Sequence, residues 1–367
     1  MNVLIFLVVL VALILVHEFG HFIIAKRSGI RVDEFGIGFP PRLFGKKFGE
    51  TLYSINLLPF GGFVRIYGEN PEEVTETENG RALVHAPKYI QAAVLFGGVF
   101  FNIIFAWILF SGVFMVGTPT LVTEGDQYQK YISDTRVMVM NTLAGSPADR
   151  AGLAVGDEIV SIIAAGERVE PSYATDVSAF VASHGEEAVE FEVARGGEVY
   201  NISTQAEAGI IESDPETYAI GIGIGRVGTL TLPPHRAVIV GAEQTALQLV
   251  NVAKGIATLL YDALLFRADL SGIAGPVGIV SLVGSASAHG LIALANFVAL
   301  ISLNLAVINL IPFPALDGGR LLFLAIEAVK GSRITLRVAQ TFNLIGFALL
   351  ILLMLAVTYN DILRLLS

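Results

Sequence analysis

Four stretches of about twenty apolar residues constrain this chain more than any other feature, because a helix needs roughly that length to cross the hydrocarbon of a bilayer. They cover residues 3–25, 92–116, 291–311 and 342–359, within segments 1–25, 91–117, 291–320 and 340–360. A secretory signal is the competing reading of the first. Against it, there is no basic leader and no small-residue cleavage site, and the apolar run flows straight into His17, Glu18 and His21. Hydrophobic residues make up 54% of the 367 positions and charged residues only 15%, against roughly 25% charged in soluble domains. The lipid bilayer is therefore an expected partner.

Between the spans the pattern changes. Segment 26–90 has strand-like runs with Gly and Pro punctuation, including Gly36, Gly38, Pro40 and Pro41, and reads as β-hairpins lying against the membrane face. Its acidic stretch 69–78 reads as a solvated loop. Segment 126–228 is β-rich with Gly turns. There Ser146-Pro147-Ala148, Ala151-Gly152-Leu153 and Gly156-Asp157-Glu158-Ile159 resemble the signature of a PDZ-like domain, with a cap helix after Ser-Pro and a buried strand after Gly-Asp. An unrelated small β domain is the plainer alternative, since such turn chemistry is common. Segment 236–290 holds a helix over 237–266 with a broad apolar stripe, then a connecting loop. The expected fold class is thus membrane α-helical, with about four transmembrane helices, a membrane-associated β-hairpin region and an inserted α+β PDZ-like domain.

Charge sets an expected orientation. Residues 26–88 carry nine Lys and Arg, and Arg320, Lys330, Arg333 and Arg337 lie between the last two spans. Residues 118–290 carry 21 acidic against nine basic side chains. Basic short loops favour the cytoplasm, which puts the acidic segment outside a cell membrane and the short loops inside. The net charge of −10 argues against a nucleic-acid partner, and with no cysteine there are no disulfides or thiolate metal sites.

The chemistry-bearing residues sit at the edge of the apolar runs. His17-Glu18-Phe19-Gly20-His21 places two imidazoles at i and i+4, on one helix face, where both reach one Zn²⁺. Glu18 beside them is placed to take a proton from a water polarised by that ion. The plain alternative is a Glu and two His turned toward the interface, but ionisable groups within membrane segments are functional by default. Two histidines leave a catalytic zinc one protein ligand short of three. Asn309-Leu310-Ile311-Pro312-Phe313-Pro314-Ala315-Leu316-Asp317-Gly318-Gly319 offers Asp317, where two prolines break the helix and two glycines allow tight backbone. Irregular backbone at membrane depth is tolerated only where protein or a water cavity surrounds it.

Together these motifs, at this separation and in this order, resemble the site-2 proteases, a family of intramembrane zinc metalloproteases, over nearly the whole length. The resemblance implies that His17, His21 and Asp317 bind Zn²⁺ and that Glu18 is the catalytic base. It implies single-span transmembrane proteins as substrates, such as trimmed anti-sigma factors or signal-peptide remnants, with the PDZ-like domain contacting the substrate's outer segment or filtering substrates by size. In the family, hairpins pair with the unwound substrate as an added strand; the matching stretches are 36–39, with Gly36 and Gly38, and 55–64. The second span departs from the family's Gly-Pro-x-x-Asn, reading Gly98-Val99-Phe100-Phe101-Asn102. Asn102 and Asn309 are candidates for holding substrate backbone or the oxyanion, and an interhelical hydrogen bond is the equal alternative for Asn102. Ser271 to Gly278 resembles a further family segment, with no chemistry of its own. His85, His184, His235 and His289 read as surface groups, and Asp361 paired with Arg364 as an interface anchor. A metal transporter using His17, Glu18, His21 and Asp317, and a catalytically inactive PDZ scaffold, are the rival classes. No inverted repeat supports the first, and the presence of Glu18 argues against the second.

Overall fold

The computed structural model describes residues 1–69, 80–123, 127–211, 214–265, 267 and 274–366. In chain order the elements are α1 (Asn2–Arg27), β1 (Val32–Phe48), β2 (Thr51–Ile66) and α2 (Lys88–Val116). Then come β3 (Thr118–Leu121), β4 (Ile132–Thr142), α3 (Pro147–Ala151), β5 (Glu158–Ala164), β6 (Glu167–Val169), α4 (Ala174–His184), β7 (Ala188–Arg195), β8 (Glu198–Gln205) and β9 (Ile222–Leu230). The chain closes with α5 (Pro234–Leu264), α6 (Pro276–Ala288), α7 (Leu291–Leu310), α8 (Asp317–Lys330) and α9 (Leu336–Leu366). Two compact units result: Met1–Val113 with Pro234–Ser367, and Phe114–Pro233.

In the first unit, four helices are long and apolar enough to cross a membrane: Asn2–Arg27, Lys88–Val116, Leu291–Leu310 and Arg337–Leu363. α1 and α2 touch backbone to backbone. A Cβ on Gly20 would sit 2.2 Å from the Gly97 carbonyl oxygen, and one on Gly97 would sit 2.7 Å from that of Gly20. Small residues that let backbones meet are how helices associate where no hydrophobic drive separates them from lipid.

β1 and β2 form a doubled ribbon rather than separate hairpins. Residues 34–37 are partnered both by 52–55 and by 62–65, while 42–48 lie against 51–56. Gly38 (φ 77°) permits the bend that folds β1 back on itself. Buried Glu34 holds the bend by accepting from Arg42 at 3.0 and 3.1 Å and from Ser54 Oγ at 2.6 Å. The acidic stretch expected as a loop lies, apart from Glu69, outside the described residues, as do Asp126, Phe266 and residues 271–273.

α7 stops at Leu310, two residues before the first proline of the break. A backbone turn over 311–316 then leads into α8, whose first residue is Asp317. The paired glycines are a packing requirement here: a Cβ on Gly318 would lie 2.2 Å from the Ile311 carbonyl oxygen, and one on Gly319 would lie 2.2 Å from that of Phe313.

Asp361 corrects the sequence expectation. It is buried at 4% exposure and accepts the amides of Gly275 at 3.1 Å and Gly278 at 2.8 Å, at the start of α6. The physical reason is that a helix N-terminus leaves its first N–H groups unpaired, and a buried end needs a protein acceptor to satisfy them. His184 likewise packs on Phe180, with ring centroids 4.2 Å apart, and donates to its carbonyl.

The second unit is a seven-stranded sheet, β3-β9-β4-β5-β7-β8 with β6 beside β5. Its core joins Ile162, Val189, Phe191 and Val193 to Val177 and Val181 of α4. The cap helix after Ser-Pro is present. Ser146 Oγ accepts from the Asp149 amide, Pro147 opens the helix, and Gly152 closes it in the left-handed region (φ 88°). Gly156-Asp157 leads into buried β5, where Asp157, fully enclosed, binds Arg195 Nε at 2.6 Å and Nη2 at 2.7 Å.

Candidate metal centre

α1 carries His17 and His21 one turn apart, both more than nine-tenths buried. Their Nε2 atoms lie 3.3 Å from one another. Asp317 Oδ2 lies 3.1 Å from the first and 3.2 Å from the second. The break after α7 therefore brings a carboxylate from some three hundred positions later onto the two imidazoles. Among the described residues this is the one group of three His, Cys, Asp or Glu side chains close enough to share an ion.

His21 is held from behind: its Nδ1–H donates to the Val94 carbonyl at 2.8 Å. A carbonyl only accepts, so Nε2 of the neutral ring is left with its lone pair toward Asp317. Behind His17 stands Asn102, fully buried, with Nδ2 at 3.2 Å from Nδ1. Gly98 clears the space for both rings, since a Cβ there would lie 2.5 Å from His21 Nε2 and 2.6 Å from His17 Cε1.

Glu18, His17, His21 and Asp317 open onto a cavity of about 410 Å³, shared with Val64, Asn309 and Arg320. Val64 of the ribbon borders the cavity beside Glu18. Arg320 is ion-paired with Glu69 at its rim.

Of the other sequence candidates, Asn309 lines this cavity and Asn102 does not. Gly36 and Gly38 also stand away from it. Gly36 already has partners on both sides, Ser54 and Phe63, so its backbone has no side left for an added strand. The ribbon residues that border the cavity are Phe63, Val64 and Ile66, in a stretch paired on one side only among the described residues. The sequence reading takes Gly98 only as part of the second-span motif and Arg320 only as a loop charge, and it does not single out Gly20, Gly97 or the Val94 carbonyl. The Gly97-Gly98 pair inside an apolar span is the available signal for a close helix approach, and no residue type marks a carbonyl.

The model of peptidase family M50 matches residues 5–353. The chain belongs to peptidase family M50. Among its M50 relatives, a putative zinc metalloprotease of Clostridium perfringens is 35% identical, with 96% of this chain and 95% of the relative covered. The regulator of sigma-W protease RasP of Bacillus subtilis is 30% identical, with 99% of both chains covered. Among solved structures, the PDZ domain of an SdrC-like protein from Listeria innocua covers 24% of this chain and 92% of its own, at 24% identity and a TM-score of 0.20.

As an M50 peptidase the protein is a zinc metalloprotease, and the three side chains suit that ion. Ligand atoms at 2.0–2.2 Å from a tetrahedral zinc are roughly 3.3–3.6 Å apart, and the three separations here fall within a few tenths of an ångström of that. Asp317 Oδ2, shut away from solvent, accepts no well-directed hydrogen bond from any described residue. Two imidazole nitrogens and an orphaned carboxylate oxygen facing one point are a donor set that needs a cation. Two His and one Asp also match the three-ligand, one-open-position pattern of catalytic rather than structural zinc.

Proposed function

We propose that the protein is an intramembrane endopeptidase that cuts the membrane-spanning helices of single-span proteins, with His17, His21 and Asp317 as the zinc ligands and Glu18 as the general base. The observation that carries this reading is the convergence of Asp317 Oδ2 on the two Nε2 atoms within 3.2 Å, with Glu18 opening onto the same cavity. Bound there, zinc supplies a Lewis acid that brings the pKa of water toward about 7 and polarises a peptide carbonyl. Glu18 takes the proton from the attacking water and hands it to the leaving amine. Asn309, on the cavity wall, donates its amide N–H to the carbonyl oxygen as charge develops there.

A helix hides its own amides, so a substrate has to unwind before attack. The freed backbone then needs new partners where water is scarce. The one-sided edge at 62–66 offers them by strand addition, beside Glu18. The ribbon lies against the cytoplasmic membrane face, and the Phe114–Pro233 unit lies outside the cell membrane, as the charge asymmetry of the loops directs. Substrates in this setting are trimmed anti-sigma factors or signal-peptide remnants. The outer module contacts the substrate's outer segment: an apolar groove between α4 and β9, lined by Val177, Val181, Ile220, Ile222 and Ile224, has the form for an extended chain end.

The test is Glu18→Gln in the purified protein with a model spanning helix. Zinc content by elemental analysis should match the parent, and cleavage should fall about 10²–10⁴-fold or more. Substantial residual cleavage would rule out Glu18 as the base.

A further inference from the structure

Asn102 is wholly buried between spans and touches neither the cavity nor Glu18, yet its amide stands directly behind a candidate metal ligand. We propose that Asn102 is a positioning residue which accepts the Nδ1–H of His17 through its side-chain oxygen, so that His17 turns an unprotonated Nε2 toward the ion. This inference rests on the metal-centre reading above and deepens it.

Three observations carry it. The first is the chemistry of the ring. A neutral imidazole carries one N–H, so its Nε2 has a lone pair for a metal only when Nδ1 holds the proton and has an acceptor to give it to. His21 meets that requirement through the Val94 carbonyl at 2.8 Å. For His17, Asn102 is the side chain on Nδ1, at 3.2 Å.

The second is an unbalanced amide. With Nδ2 on His17, Asn102 Oδ1 is buried and without a hydrogen-bond partner. The two ends of a carboxamide have nearly the same shape, so a half-turn exchanges them at little steric expense. Either orientation leaves one end of the amide unpaired, Oδ1 in the first and Nδ2 in the second, so the tautomer that a metal-binding His17 requires decides between them. The turned amide gives Oδ1 the Nδ1–H and gives His17 the tautomer that His21 already has.

The third is how firmly Asn102 is held. Its own backbone carbonyl accepts Ser302 Oγ of α7 at 2.8 Å, which ties α2 at this residue to the helix that leads into the Asp317 break. The amide thus has a fixed base from which to orient the ring. Hydrogen-bond partners behind metal-bound histidines set their tautomer and raise their basicity, and losing one typically costs 10–100-fold in metal affinity.

The experiment measures zinc dissociation constants by chelator competition on the detergent-solubilised full chain. The variants are Asn102→Leu, which removes the acceptor, and Asn102→Asp, which keeps one; Asn102→Ala serves as the second non-accepting variant should the leucine fail to fold. His17→Ala and Asp317→Ala are the reference variants, and thermal melting reports the fold. The expected result is a 10–100-fold weaker affinity in Asn102→Leu at a parent-like melting temperature, with Asn102→Asp restored close to the parent. If the two reference variants lose zinc while a folded Asn102→Leu binds as tightly as the parent, the positioning role is overturned and the metal centre stands. Equal weakening in the Leu and Asp variants also overturns it, because packing alone does not distinguish an acceptor. If His17→Ala and Asp317→Ala retain full zinc, the metal-centre reading falls and this inference falls with it.

Discussion

Asp157 shows how a short turn signature acquires a reason at the residue scale. Its carboxylate is fully enclosed, and burial alone would raise its pKa. The two hydrogen bonds from Arg195 and the one from the Ala154 amide at 2.9 Å outweigh that, and the pKa sits below its usual value. A carboxyl that is more acidic folded than unfolded takes up its proton first in the unfolded chain. Its stabilisation is therefore complete above the unfolded value of about 3.9 and disappears as pH falls through the lower folded value. We expect the melting temperature of the Phe114–Pro233 unit, followed in the full chain, to drop below about pH 4. In Asp157→Asn that acid dependence should be shallower and the unit less stable near neutrality, by on the order of 1 kcal/mol, since the partner guanidinium is itself partly exposed to screening solvent. An unchanged acid limb in the Asn variant would remove Asp157 as its source.

At the scale of elements, long-range contacts cap the start of α6 and decide which edge of the doubled ribbon faces the cavity. α6 begins where Asp361, near the end of α9, accepts two of its leading amides. Gly275 and Gly278 permit this approach: a Cβ on either would lie 2.7 or 3.0 Å from the same carboxylate. That gives the Gly275-Pro276-Val277-Gly278 sequence its reason, as a landing place for a carboxylate. Asp361→Leu would leave the Gly275 and Gly278 N–H groups unpaired, at about 1–3 kcal/mol each. A clearly lowered melting temperature in detergent is expected, with Asp361→Asn between it and the parent; a leucine variant melting like the parent would deny the cap any weight. In the ribbon, the double pairing of residues 34–37 consumes the interior edges, so that among the described residues the one-sided stretch carrying Phe63, Val64 and Ile66 is the edge at the cavity.

Across the whole molecule, two independently packed units divide the labour: one holds the metal-centre residues, the other an apolar groove. On the proposed orientation, the Phe114–Pro233 unit lies outside the cell membrane. The chain has no cysteine, so single introduced cysteines can be labelled without background. Both Lys46, on the ribbon, and Val199, in the Phe114–Pro233 unit, are exposed. A cysteine at 199 should react with an impermeant maleimide in intact cells, and one at 46 only after the membrane is opened. The reverse pattern would invert the orientation.

The amino-acid sequence by itself determined the four spans, the break at Pro312 and Pro314, the shared face of His17 and His21, and the Ser-Pro cap helix. Each of these follows from transfer free energy, helix period or turn chemistry acting within about twenty residues. What only the tertiary structure decided is which distant groups meet: Asp317 on the imidazoles, Gly98 clearing their space, Asn102 behind His17, Asp361 on α6, and Phe63, Val64 and Ile66 rather than 36–38 at the cavity. Those meetings depend on how close two helix backbones come and where a chain turns back. Such distances are set by packing between segments tens to hundreds of residues apart, and no local pattern encodes them.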